Sequence, residues 1–153
     1  MERIWIYQAD RVLDSREQQQ ILDRLASFTE QWRAHGKELS ARVEIRHGLF
    51  VIITVDDSVA PPTGCSIDKS VHLLKEIEQE LGVGLFDRMK IAYRKLPAGE
   101  IAIASREDFQ RLIDEGQVTA DSLVFNNLVS SYPDLADKWE VPMSQSWHAQ
   151  VFA

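Results

Sequence analysis

The sequence lacks most features that mark secreted and membrane proteins. Its single cysteine, Cys65, excludes an internal disulfide and fits a reducing compartment. No apolar run approaches the ~20 residues of a membrane-spanning helix, and residues 1–7 lack the charged and long apolar regions of a signal peptide. We therefore expect a cytoplasmic protein without a membrane partner.

Basic charge is also scarce, because 17 Lys and Arg stand against 24 Asp and Glu, a formal net charge of −7. Proteins that bind nucleic acid usually carry a basic stripe, since neutralising phosphates supplies much of their affinity. Here the basic residues are scattered beside acidic ones, so we expect no nucleic-acid partner. No pair of His or Cys residues has the spacing of a zinc site, and we expect neither a metal nor a cofactor.

What is present is typical of one globular domain. The 153 residues are 44% hydrophobic and 27% charged, close to the usual composition of such domains. Apolar periodicity and turn residues predict the following elements in the first part of the chain: strands at 4–8, 41–46, 49–55 and 90–96, and helices that begin near residue 15 and span 66–81. His47-Gly48 separates the second and third strands as a hairpin turn.

This β-α-β-β-α-β order predicts an α+β fold with a ferredoxin-like core, an antiparallel sheet that carries two helices on one face. We expect residues 1–153 to form a single domain, in which residues 97–153 are a C-terminal α/β extension packed on the core at 1–96. A strand at 101–104 and a helix at 106–115 begin that extension, and a further strand is expected from Leu123.

The ends of the first helix carry clear signals. Asp14 to Gln18 offers capping-box chemistry at the start, and Gly36 is the predicted stop after Trp32. His35 then lies near the helix C-terminus, where it interacts favourably with the helix dipole. We predict this capping role for His35 and keep it as a candidate ligand-binding residue.

The segment Gly64 to Ser70, before and within the second helix, is the strongest functional candidate. A helix N-terminus offers free N–H donors and a partial positive charge, which favour anions and lower the pKa of a thiol. The candidate catalytic residues are Cys65, Ser66, Asp68, Lys69 and His72, and the candidate ligand-binding residues in the segment are Gly64 and Ser70. On a helical wheel Cys65, Asp68 and His72 lie opposite the apolar stripe.

Each feature of this segment has a plainer interpretation. Cys65 is either a reactive thiol or a small apolar residue packed at a loop–helix junction. Ser66 and Lys69 match S-x-x-K, in which lysine activates a serine nucleophile, but a capping serine explains the match equally well. A phosphate loop is excluded, since Thr63 and Asp68 replace the glycines that such a loop needs.

Residues elsewhere give weaker signals. Asp56, Asp57 and Asp68, with Glu44, either form a carboxylate cluster for a hard metal or serve as turn-forming residues, which we favour. The candidate ligand-binding residues near the C-terminus are Asn126, Asn127, Trp147 and His148. Two amides inside an apolar run require partners, which are either a ligand or the backbone of the tail.

Several strings together resemble a family of uncharacterised bacterial proteins of about 150 residues. They are Trp5-Ile6-Tyr7-Gln8, Trp32 with Ala34-His35-Gly36, Gly64 to His72, Val124 to Leu128, and Lys138 to Pro142 with Ser146 to Ala149. Members of that family sometimes carry an automatic label of ABC-transporter ATPase. The motifs do not support this label, because such an ATPase needs the phosphate loop that the sequence lacks.

Two hypotheses of function follow. The first is a small cytoplasmic binding or interaction protein, and a homodimer formed through its sheet or its tryptophan-bearing tail is one version of it. The second is a small enzyme that uses Cys65 or Ser66, with Asp68, Lys69 and a distant histidine, in thiol or acyl-transfer chemistry.

Overall fold

The computed structural model describes residues 1–152, which form a mixed α+β fold with antiparallel sheets and four α-helices. The chain divides into two compact units. Residues 1–86 with 130–132 form the first unit, and residues 87–129 with those after 132 form the second.

The first unit contains a three-stranded sheet made of β1 (Glu2–Gln8), β4 (Ser40–Arg46) and β5 (Phe50–Asp56). The strand order is β1-β5-β4, and both pairings are antiparallel. Helix α1 (Ser15–Glu30) and a small hairpin of β2 (Arg33–Ala34) and β3 (Lys37–Glu38) lie between β1 and β4, and α2 (Gly64–Leu81) follows β5. The predicted helices and strands of this region are confirmed, apart from the end of α1.

Helix α1 begins as the sequence predicts. The Asp14 carboxylate accepts the N–H of Glu17 at 2.8 Å, and the Glu17 carboxylate accepts the N–H of Asp14 at 3.1 Å. The guanidinium of Arg11 binds the same Glu17 carboxylate and lowers its pKa to about 2. Ile21 and Leu25 are buried on the inner face of the helix.

The predicted end of α1 is wrong. The helix ends at Glu30, and His35 and Gly36 have φ angles of +52° and +78° in the turn between β2 and β3. His35 is therefore a hairpin residue and does not cap the helix. The chain leaves the helix before Trp32, whose buried indole N–H donates to the carbonyl of Ser66 at 2.8 Å.

The ferredoxin-like arrangement is not confirmed, because its fourth strand lies elsewhere. That strand is β6 (Lys90–Arg94), which belongs to the second unit and pairs with β7 (Ile101–Ser105) and β8 (Leu123–Phe125). β7 follows β6 after only residues 95–100, so their pairing closes a short loop at small entropic cost. The expected boundary after residue 96 falls between these two paired strands, and the single-domain organisation stays a prediction.

The free side of β1 is covered instead by a short returning segment. The N–H of Ile4 donates to the carbonyl of Ser130 at 2.9 Å, and Arg3 forms a β-bridge with Ser131. Tyr132 lies within 4.5 Å of the Arg42 guanidinium carbon, measured from the ring centroid. One side of the sheet is therefore closed by β-bridging and the other ends at β4.

The second unit contains a four-stranded sheet in which β9 (Glu140–Pro142) is the last strand, and its order is β7-β6-β8-β9. Helix α3 (Arg106–Asp114) follows β7, and α4 (His148–Val151) lies near the end of the described chain. Short 3₁₀ turns occupy Tyr132–Leu135 and Met143–Gln145. The core of this unit is formed by Ile91, Tyr93, Ala104, Phe109, Val118, Val124, Met143 and Phe152.

None of the helices within residues 1–152 is both long and apolar enough to cross a membrane.

Candidate functional site

The start of α2 is built around a reciprocal cap. Thr63 accepts the N–H of Ser66 at 3.2 Å, and the Ser66 hydroxyl oxygen lies 2.7 Å from the backbone nitrogen of Thr63. The same hydroxyl donates to the carbonyl of Thr63 at 2.8 Å, and Ser66 is buried. The geometry thus matches the capping interpretation of Ser66. No hydrogen bond joins this hydroxyl to Lys69 within the described chain.

The other candidate residues of this segment split between two faces. Cys65, Asp68, Lys69 and His72 are exposed on one side of α2, together with Gly64 at its first position. Ser70 is buried on the other side, where its hydroxyl donates to the carbonyl of Ile67 at 2.6 Å. The predicted division between an apolar stripe and a polar face is therefore confirmed.

Cys65 is exposed, which rules out the packed alternative for its side chain. Across residues 1–152 its thiol has no hydrogen bond with another side chain. His72, two turns along the helix, instead lies 3.5 Å from the Glu76 carboxylate. The structure therefore places these candidates on one face without joining them into a catalytic pair.

The tail amides hold their own segment together. The Asn126 side chain accepts the N–H of Leu128 at 3.1 Å, and the Asn126 N–H donates to the Trp139 carbonyl at 2.7 Å. Asn127 accepts the indole N–H of Trp139 at 2.9 Å. These contacts match the interpretation in which the amides hold the backbone of the tail.

Trp147 and His148 lie in a compact cluster within the second unit. The two rings stack with centroids 3.8 Å apart, and Nδ1 of His148 lies 2.7 Å from the Ser146 hydroxyl oxygen. Burial disfavours the charged imidazolium and lowers the pKa of His148 to about 4. At neutral pH this histidine is therefore an uncharged core residue.

The acidic residues at the end of β5 form a turn and an ion pair. The Asp56 carboxylate accepts the backbone N–H of Ser58 at 3.0 Å and its hydroxyl at 2.6 Å, and these bonds lower the pKa of Asp56. The Asp57 carboxylate lies 3.0 Å from the N-terminal amine. Among residues 1–152, no three His, Cys, Asp or Glu side chains lie close enough together to hold a metal ion.

A shallow groove between α1 and β4 is the feature that the sequence analysis missed. Its cavity volume is about 360 Å³, and its lining is Leu22, Asp23, Ala26, Thr29, Glu30, Ala41, Arg42 and Val43. The apolar part comes from the helix and from the strand face that carries Ala41 and Val43. The alternation of Ala41, Val43 and Ile45 with charged residues is the sequence signal for this half-exposed strand face.

The outer side of β4 also presents free backbone groups. The Leu49 N–H donates to the Arg46 carbonyl at 3.1 Å, so the backbone of Arg46 faces β5. Backbone direction alternates along an antiparallel strand, so the N–H and C=O groups of Ala41, Val43 and Ile45 face away from β5. β4 ends the sheet, and these groups have no strand partner within the described chain.

The charged residues of β4 alternate with Ala41, Val43 and Ile45 along the strand, and Arg42 also borders the groove. Arg42 pairs with the carboxylate of Glu2, and Nε of Arg46 donates to Glu44 at 2.5 Å. Arg42, Glu44 and Arg46 keep 47%, 27% and 34% of their side-chain surface exposed. These three charges therefore remain accessible along the outer strand.

Comparison with known proteins gives no assignment, since no family model, curated protein or solved structure matches the chain.

Proposed function

We propose that this chain is a binding protein that adds an extended polypeptide segment to the outer edge of β4. The observation that carries the proposal is the open outer edge of the seven-residue strand β4, which lies beside a groove partly lined by apolar side chains. In β-strand addition, main-chain hydrogen bonds supply affinity and pockets for alternate side chains supply specificity. β4 offers both elements.

The shape of the groove supports a segment over a small ligand. Pockets for small molecules usually enclose most of the ligand surface, whereas this groove is shallow and runs beside a strand. An added strand directs every second side chain toward Leu22, Ala26 and Val43. Its other side chains face the charged row of Arg42, Glu44 and Arg46.

The enzyme hypothesis has less support. Its serine version requires a free Ser66 hydroxyl, and that hydroxyl is bound to Thr63 inside the cap of α2. If Cys65 is the nucleophile instead, its thiol is exposed but has no histidine bonded to it. Binding at β4 requires no further group, because its donors and acceptors are already aligned.

Three expectations from the sequence accompany this proposal, and a homodimer is added to them below. They are the resemblance to uncharacterised bacterial proteins, a cytoplasmic location, and a core derived from the ferredoxin-like arrangement. The order β1-β5-β4 supports the last, since it is the order of the first three strands of that arrangement. A homodimer is a fourth expectation.

Selection from a library of random seven-residue extended peptides tests the proposal. Peptides that bind the wild-type chain are assayed again on the variant Val43→Pro, which removes an N–H from the open edge. Proline is tolerated on an edge strand where its missing N–H faces solvent, so the variant keeps the pairing of β4 with β5. Arg16→Glu, on the exposed start of α1, is the control.

We expect selected peptides to lose at least about tenfold in affinity on Val43→Pro and to keep it on Arg16→Glu. Peptides that bind both variants equally, or a selection that yields no binder, would contradict the proposal.

A further inference from the structure

We infer that the segment bound at β4 is the β4 strand of a second copy of this chain, paired antiparallel about a two-fold axis through Val43. This inference rests on the proposed function and names its partner. The pairing joins two three-stranded sheets into one of six strands, ordered β1-β5-β4-β4-β5-β1. An interface of this kind is isologous, so the same strand must be complementary to itself.

The length and polarity of β4 satisfy that condition. The strand runs from Ser40 to Arg46, so Val43 is its central residue and a two-fold axis there pairs all seven positions. The backbone groups that face outward belong to Ala41, Val43 and Ile45. In this register Val43 meets Val43 of the second copy, and Ala41 meets Ile45, so every outward N–H finds an outward C=O.

The charges of β4 are complementary in the same register. Arg42 of one copy lies directly opposite Glu44 of the other, and the symmetry repeats this contact. Opposite charges placed directly across an antiparallel pair stabilise it, and like charges destabilise it. The charged side chains of β4 therefore attract those of β4 in the second copy.

Registers shifted along the strand lose this match. An axis through Arg42 sets Arg42 against itself, and an axis through Glu44 sets Glu44 against itself and Arg42 against Arg46. Both still place outward backbone groups opposite each other, as the axis through Val43 does, so the like charges are what disfavours these two registers. An axis through Ile45 keeps the pairing of Glu44 with Arg46 but runs into the turn at His47-Gly48, so fewer positions pair.

The apolar residues beside the groove supply contact on the other face of the joined sheets. Ala41, Val43 and Ile45 are all half-buried in the single chain, and pairing covers them with the matching residues of the second copy. Leu22 and Ala26 of α1 border the same strip. Because the interface is one strand and one helix face, we expect a dissociation constant in the micromolar range.

Light scattering after size exclusion, at concentrations from about 1 µM to about 1 mM, provides the first test. We expect the mass to rise from the 17.5 kDa of one chain toward twice that value. Arg42→Glu and Glu44→Arg should each remain monomeric, because each sets like charges opposite each other. Arg16→Glu makes the same charge change away from β4 and should dimerise as the wild type does.

Mixing the two monomeric variants is the decisive step. In a mixed pair the two substituted side chains face each other with opposite charges. The unsubstituted Glu44 of one chain likewise faces the unsubstituted Arg42 of the other, so both contacts are attractive again. We expect Arg42→Glu and Glu44→Arg to form a one-to-one heterodimer when combined. Circular dichroism of each variant alone establishes that it is folded before mixing.

A wild-type chain that stays monomeric up to about 1 mM, or folded variants that do not associate on mixing, would overturn the second-copy partner. Dimerisation unchanged by both β4 substitutions would overturn it as well. The peptide selection remains independent of these outcomes. β4-dependent peptide binding by a strictly monomeric chain would retain the proposed function and replace only its partner.

Discussion

β4 and β5 are neighbouring strands of equal length, paired residue by residue, yet they differ sharply in burial. In β5 the six residues from Phe50 to Val55 are buried, while no residue of β4 is. β5 has a strand on each side, and β4 has one only on its inner side. β5 is therefore the buried centre of this sheet, while the outer backbone groups of β4 have no strand partner within the described chain.

Proline substitution on the two strands should show this difference most strongly. Ile53→Pro removes an N–H from the central strand and a side chain that is 1% exposed. A proline inside a sheet loses a ladder hydrogen bond and leaves a buried acceptor unpaired. Because the buried isoleucine side chain is lost as well, we expect a loss of at least about 3 kcal/mol in the free energy of unfolding. Val43→Pro is the matched variant on β4 and should cost about 1 kcal/mol or less.

Urea denaturation followed by circular dichroism measures both variants. Equal losses for Ile53→Pro and Val43→Pro would show that β4 is held as firmly as β5, and the distinction between the strands would fail.

Burial of His148 should make the stability of the fold depend on pH. The folded-state pKa of His148 is about 4, below its ordinary value of 6.5. As the pH falls from 6.5 toward 4, the unfolded chain takes up a proton at this site and the folded chain does not, so stability is lost in that window. We expect the loss at His148 to reach about 3 kcal/mol by pH 4.

His148→Asn places an amide near the position of Nδ1 and removes the titrating group. The difference in unfolding free energy between wild type and variant should shrink as pH falls from 7 to 4. His72→Asn is the matched substitution outside the core, because the His72 side chain is 80% exposed. A parallel pH profile for wild type and His148→Asn would contradict the burial effect.

A buried hydroxyl on β5 gives the next smaller effect. Thr54 is 1% exposed, and its hydroxyl has no hydrogen-bond partner in the described structure. An unpaired buried polar group costs free energy that an apolar group of the same shape does not. We expect Thr54→Val to raise the free energy of unfolding by about 1 kcal/mol, as measured by urea denaturation. A destabilised variant would indicate that the hydroxyl has a partner.

Local signals predicted most of the elements in the first unit. Asp14 and Glu17 formed the expected cap, Gly82 ends α2 with a φ of +63°, and His47-Gly48 turns the chain between β4 and β5. His35-Gly36 repeats the dipeptide His47-Gly48, and both pairs have positive φ angles. A helix end and a hairpin both accept such a pair, so the local sequence did not separate them.

Non-local pairing limited the remaining predictions. β6 pairs with β7 and β8, and no pattern within residues 90–94 predicts these partners. The groove was missed for a related reason, because an outer strand is defined only by the sheet order. The polar face of α2 was predicted correctly, since helical spacing alone decides it.

The opposite exchange, valine to threonine on β4, should give the smallest difference in stability. Val43→Thr on β4 introduces the hydroxyl that Thr54→Val removes from β5, at a half-buried position where the hydroxyl reaches water. We expect the free energy of unfolding to change by no more than about 0.5 kcal/mol, measured under the same urea conditions. A loss of about 1 kcal/mol or more would mean that Val43 is packed as tightly as β5. Threonine keeps both the backbone donor and the β-branched shape, so strand addition at β4 should persist in this variant.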